Sequence, residues 1–177
     1  MTQGVGDYTR ELAGALNVMG WKTKIIALKD RSVNSVLEQH QQSSNEVVDV
    51  VRISKALSLS NRKFEYNKAI QNFNPDIISL QFVPYAFSSK GIPFYLPGFL
   101  KLSKSSVKWH FMIHESYIDG NLNFKDRLIK KSQIWILKSL VLKLNPLIVH
   151  TSTLRYQSYL KAIGIKCSIL GLFGNIH

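Results

Sequence analysis

Asn74-Pro75-Asp76-Ile77-Ile78-Ser79-Leu80-Gln81-Phe82 reads as a helix stop that runs straight into a strand. A residue before proline is pushed out of the α region, so the helix predicted over Lys63 to Phe73 ends at Asn74. From Asp76 to Phe82 the residues Ile77, Ile78, Leu80 and Phe82 mark a strong strand. The same alternation extends in both directions. Upstream, Asp7 to Met19 carries Tyr8, Leu12, Leu16 and Met19 at helical spacing, with Gly20 as its stop. Lys24 to Leu28 and Val47 to Ile53 read as strands. The Gln-, Ser- and Asn-rich stretch between them, Arg31 to Asn45, reads as a mobile loop with at most one weak helical turn.

Downstream, a loop over Val83 to Gly91 carries Pro84, Tyr85 and Phe87. A helix over Pro93 to Ser103 is expected to be bent or shortened by Pro97 and Gly98. Val107 to Ile113 reads as a strand ending in His114-Glu115. The longest helix runs from Phe124 to Leu144 and is stopped by Asn145-Pro146. A strand over Leu147 to Thr151, a helix over Leu154 to Ile163 closed by Gly164, and a strand over Lys166 to Leu170 complete the chain. Strands alternating with helices predict an α/β fold: a Rossmann-like, mainly parallel sheet with helices on both faces.

At 177 residues, 45% hydrophobic and 19% charged, the chain has the balance of one globular domain with a real core. One cysteine, Cys167, excludes an internal disulfide and reads as a small apolar strand residue. The N-terminus lacks a secretory pattern. The most apolar stretch, Ile134 to Val149, is broken by Lys138, Lys143 and Pro146, short of the roughly 20 residues that span a bilayer. A soluble, cytoplasmic protein is expected.

The net charge is +12, from 23 Lys and Arg against 11 Asp and Glu. Such a surface draws nucleic acid, anionic lipid or phosphorylated substrates. Lys125, Arg127, Lys130, Lys131, Lys138 and Lys143 share the longest helix with a single acid, Asp126. This basic helix is expected either to rest on an anionic membrane surface or to be a solvated face. In either case Ile129, Ile136, Leu137, Leu140 and Leu144 pack on the sheet. Nucleic acid is not expected, because no recognised module appears.

Gly4-Val5-Gly6 reads as a loop entering the first helix, where amide groups could meet a phosphate; the alternative is an ordinary turn. Thr9 stands where a dinucleotide fingerprint needs its third glycine. His114 and Glu115 sit just beyond the end of a strand, where a parallel sheet delivers ligand contacts; the alternative is a loop His beside a solvated Glu. Gln81, Tyr85 and Phe87 lie at another strand's end and could line a cleft or simply pack. No metal is expected. His110 and His114 share a strand face but lie about 13 Å apart at ~3.3 Å per residue, and His40, His150 and His177 are assigned no catalytic role.

Four of these segments, in order, resemble the N-terminal domain of a GT-B glycosyltransferase of the retaining family 4 type. They are Gly4 to Leu12 with Gly20-Trp21, then Asn74 to Gln81, then the strand ending in His114-Glu115. The last runs from Leu147 through Thr151, Leu154-Arg155-Tyr156 and Gly164 to Leu172-Phe173-Gly174-Asn175-Ile176. The resemblance covers nearly the whole chain. It implies an acceptor-side domain of an enzyme that moves a sugar from a nucleotide-sugar donor to a glycan or lipid-linked acceptor, without a bound cofactor. His114 would be the catalytic contact to the donor sugar, with Gly4, Val5, Gly6, Gln81, Tyr85 and Glu115 binding substrate. The family's strand before the glycine loop and its second, donor-binding domain have no counterpart here. The expectation is therefore a domain lacking its first strand, incomplete and inactive alone. The alternatives are a non-catalytic Rossmann-like module for a phosphorylated ligand, and a basic peripheral membrane protein.

Overall fold

The computed structural model describes residues 3–44, 46–102, 106–120 and 122–172. Expectations falling on Asn45, Ser103, Phe173 to Ile176 and His177 lie outside the described residues. The chain divides into two compact units, the first within Met1–Pro75 and the second Asp76–Leu172.

The first unit comprises α1 (Gln3–Val18), β1 (Lys24–Asp30), β2 (Leu37–Gln42), β3 (Val47–Ser54) and α2 (Leu59–Phe73). Its three-stranded sheet has the order β1-β3-β2. Strand β1 runs parallel to β3, and β2 runs antiparallel to it. The predicted loop over Arg31 to Asn45 is therefore corrected: its middle is a strand. Val47 to Arg52 supply a full row of backbone partners for Leu37 to Gln42, and ladder bonds do not ask for apolar side chains. Polar, mostly exposed side chains suit a sheet edge. His40 lies there, its Nδ1 2.7 Å from Asp49 Oδ1 on the facing strand.

Helix α1 starts at Gln3, so Gly4-Val5-Gly6 is the helix's first turn rather than a loop before it. A side chain at Gly4 would meet nothing within 4 Å, so its glycine does not answer a steric need. Helix α2 is capped by the Ser58 side chain, which accepts from the Asn61 N–H at 3.1 Å. It stops at Asn74 in the left-handed region, φ 49°. Pro75 follows, and asparagine is a residue that tolerates this conformation.

The second unit comprises β4 (Ile77–Phe82), α3 (Pro84–Phe87), α4 (Leu96–Leu100), β5 (Lys108–Ile113), α5 (Phe124–Leu144), β6 (Ile148–Thr151), α6 (Leu154–Ala162) and β7 (Ser168–Ile169). Its sheet runs β4-β5-β6-β7 and is parallel throughout. The predicted α/β fold with a mainly parallel sheet and helices around it is present. The strands form two sheets, one in each unit. Pro97 and Gly98 shorten α4 as expected. The last strand keeps only two residues, so Cys167 precedes it.

Alternate residues of the parallel strands build the core. Leu80, Phe82, Trp109, Phe111, Ile113 and Val149 are buried, as are Ile136, Leu137, Leu140 and Leu144 of α5. Helix α5 is capped by Asn123, whose side chain accepts from the Asp126 N–H at 3.0 Å. Asn145 ends it at φ 43°, directly before Pro146, repeating the stop at Asn74-Pro75.

Candidate functional site

Register places the carboxyl ends of three parallel strands side by side: Phe82 pairs with Ile113, and Ile113 with Thr151. The chain leaves the sheet just beyond these residues, at the edge where parallel sheets collect ligand contacts. The His114 N–H donates to the Phe82 carbonyl at 3.0 Å, so the backbone stays on the ladder for one residue past β5. His114 is only 8% exposed, so it is not a histidine open to solvent. Its Nε2 lies 2.8 Å from Gln81 Oε1. Burial pushes its pKa below the ordinary imidazole value, so the ring is neutral at pH 7 and donates this hydrogen bond to the amide oxygen.

Glu115 is exposed, and Ser116 beyond it is buried at 1% exposure. The Ser116 hydroxyl oxygen has no hydrogen-bond partner among the described residues. Buried hydroxyls are nearly always satisfied, so this one is an anomaly placed two residues from His114. Tyr85 is exposed on the short helix α3, and Phe87 is buried against Phe82, ring centroids 5.9 Å apart. Tyr85 therefore remains available to a ligand, whereas Phe87 packs.

Sequence reasoning missed the group that holds these loops. Gln133 on α5 is buried. Its Nε2 donates to the Gly91 carbonyl at 3.2 Å, and its Oε1 accepts from the Ile118 N–H at 2.9 Å. One amide thus joins the segment after α3 to the segment after β5. Gly91 sits at φ +67°, and a Cβ there would lie 2.8 Å from Gln133 Nε2 and from the Tyr85 ring. The signal for Gln133 was present in the sequence, because it lies three and four residues before Ile136 and Leu137 on the helix's apolar side.

Gln81, Tyr85, His114 and Glu115 belong to the second unit; Gly4, Val5 and Gly6 are the first turn of α1 in the other. His110, left without a role in the sequence, makes a second hydrogen-bonded group with Ser79 on β4 and His150 on β6. Burial, helped by the neighbouring His150, lowers the His110 pKa to about 4. Among the described residues no set of three or more His, Cys, Asp or Glu side chains is placed to hold a metal ion. An open cavity of about 530 Å³ lies at the first turn of α5, lined by Gly120, Leu122, Asn123, Arg127 and Lys130. None of the predicted site residues lines it.

Helix α5 carries a further feature. Ile136, Leu137, Leu140 and Leu144 are buried as expected, and Ile129 is half-buried. Phe124 (76% exposed), Leu128, Trp135 (53%) and Leu142 (83%) are not. Their spacings of four, seven and seven place them on one stripe at about 100° per residue, with Lys131 and Lys138 on its flank. Phe94, also exposed, meets Trp135 edge-on at 5.7 Å. Lys130 pairs with Asp119 and lies 5.2 Å over the Tyr117 ring. That pairing raises the Lys130 pKa and lowers that of Asp119. Among the described residues no helix is long and apolar enough to cross a membrane.

Comparison with family models, with curated proteins and with solved structures gives no match.

Proposed function

We propose that this chain is the acceptor-side domain of a retaining GT-B glycosyltransferase, which moves a sugar from a nucleotide-sugar donor to a glycan or lipid-linked acceptor. The observation that supports the reading is the pairing of His114 with an unsatisfied neighbour. A buried, neutral imidazole stands at the carboxyl end of a parallel strand, with the partnerless Ser116 hydroxyl close by in the chain. Such groups suit the hydroxyls of a sugar, which both donate and accept. His114 would hydrogen-bond a sugar hydroxyl, Tyr85 would offer its ring to a sugar face, and Glu115 would accept from a further hydroxyl. Gly4, Val5 and Gly6 keep a part only through the amides of the first turn of α1. Support for the oxocarbenium-like transition state, and deprotonation of the acceptor by the donor phosphate, belong to the complete enzyme.

The test is a nuclear magnetic resonance titration of the chain with simple glycosides and nucleotide sugars. Saturable shifts are expected at Gln81, Tyr85, His114 and Ser116 with glycosides, and they should vanish in His114→Gln. Shifts scattered over the surface, or none with any sugar, would remove the site.

The exposed stripe of α5 favours a peripheral location for this domain. Aromatic and aliphatic side chains interleaved with lysines match an anionic bilayer surface, which takes up the apolar groups and attracts the charges. Sedimentation with anionic vesicles is expected, weakening with salt. Trp135→Ala and the pair Lys131→Gln, Lys138→Gln should each lower it severalfold. Equal binding to neutral vesicles, or no binding, returns α5 to a solvated face.

A further inference from the structure

We propose that Gln81, Ser79, His110 and His150 are positioning residues that fix which ring nitrogen of His114 carries its proton. The five side chains form one unbroken series across the polar face of the parallel sheet. His114 Nε2 lies 2.8 Å from Gln81 Oε1, and Gln81 Nε2 lies 2.8 Å from Ser79 Oγ. Ser79 Oγ lies 2.8 Å from His110 Nδ1, and His110 Nε2 lies 3.0 Å from His150 Nδ1.

Donor and acceptor chemistry gives this series a direction. An amide oxygen only accepts and an amide nitrogen only donates. Gln81 therefore receives the proton of His114 Nε2 and offers its own to Ser79. In the proposed order the Ser79 hydroxyl, accepting from Gln81, gives its one proton to His110 Nδ1. His110 is neutral, so with Nδ1 accepting, its one ring proton sits on Nε2 and is donated to His150 Nδ1. Every link then runs head to tail, from His114 across β4 and β5 to β6. The bare Nδ1 of His110 draws the Ser79 proton, which leaves Ser79 an acceptor toward Gln81. That acceptor turns the Gln81 amide so that its oxygen faces His114. Polar networks in a partly buried setting gain from such alignment.

The consequence for the site is specific. With Nε2–H committed to Gln81, the acceptor nitrogen of His114 is Nδ1. On the sugar-transfer reading, on which this step rests, a substrate hydroxyl that meets Nδ1 donates to the imidazole and does not accept from it. Ser79 and His150, two and four links from His114 along the series, would then govern the sense of that contact.

Long-range proton–nitrogen spectra of histidine-labelled protein test the proposal at a pH of about 8, above the ordinary imidazole pKa of about 6.5. His114, His110 and His150 should all show Nε2 protonated and Nδ1 bare. Gln81→Glu keeps the shape but offers acceptors at both ends, so Ser79 must give its proton to position 81. His110 and His150, one and two strands away, should then switch to Nδ1–H, while His114 stays as it was. Ser79→Ala removes the link and should turn His114 from one tautomer into a mixture, and Ser79→Thr should restore the single form. Backbone amide spectra report folding in each variant. A wild-type His110 protonated on Nδ1, or a His114 signature unchanged in Ser79→Ala, overturns the proposal. Sugar binding is read in separate titrations, so failure of the transferase reading leaves these tautomers as they are and is seen independently.

Discussion

The two faces of the β4–β7 sheet share every backbone hydrogen bond and almost nothing else. One presents Leu80, Phe82, Trp109, Phe111, Ile113 and Val149, all buried. The other presents Ser79, Gln81, His110, His114 and His150 around a single fully buried apolar residue, Met112. Alternation along each strand makes this separation possible, because neighbouring residues point to opposite sides. The apolar face gains its stability from area removed from water, which depends little on orientation. On the polar face each group must meet a partner of the right kind at hydrogen-bond distance. One face holds the fold; the other can be specific.

The largest effect that could break this contrast is on the apolar side. Phe111→Ala should cost about 3–5 kcal/mol, by lost burial and the cavity left behind, whereas Ser79→Ala should stay within about 0.5 kcal/mol for an exposed site. Urea unfolding of the two variants measures both, and similar losses would mean that the polar face also carries the fold. An intermediate effect is expected between the loops at the sheet's carboxyl end. Gln133→Ala leaves the Ile118 N–H and the Gly91 carbonyl without the amide that joins them, and should cost about 1–3 kcal/mol. A loss near zero would make the bridge incidental.

The last effect is read as a slope against pH rather than as a loss at one pH: the acid sensitivity of the polar face. His110 binds its proton at about pH 4 in the fold and near the ordinary value of about 6.5 when unfolded. Between these values the unfolded chain holds a proton that the folded chain lacks. Stability therefore rises with pH across this window and falls as pH is lowered through it. His114, also depressed by burial, adds in the same direction. His110→Gln should flatten the dependence between about pH 4 and 6.5, and an unchanged slope would assign it to other groups.

Much of the chain from α2 onward was legible in the sequence. The apolar runs at Asp76 to Phe82 and Val107 to Ile113 gave strands close to their observed limits, and Asn74-Pro75 and Asn145-Pro146 marked helix ends that are αL caps. The placement of His114 beyond a strand followed from the same pattern. What escaped was lateral. Strand β2 forms because Val47 to Arg52 lies beside it, and the spacing within Leu37 to Gln42 holds no trace of that neighbour. His110 was compared with His114 along its own strand, whereas its partners are Ser79 and His150 on the strands at either side. The start of α1 was misplaced because glycine suggests a turn, and nothing at Gly4 required one. The exposed stripe of α5 was hidden behind its lysines, since only the buried apolar residues were assigned a direction.

The Gln133 amide has a consequence in time as well as in energy. Gly91 and Ile118 belong to segments that leave different strands, yet each gives up its hydrogen bond to the same side chain. Neither segment can swing outward far without releasing Gln133 from its place, so the two should open as one cooperative unit rather than as independent loops. The Ile118 amide proton then serves as the clock. Its rate of exchange with solvent deuterium records how often the whole rim of the sheet loosens, including the part near Tyr85 that it never touches.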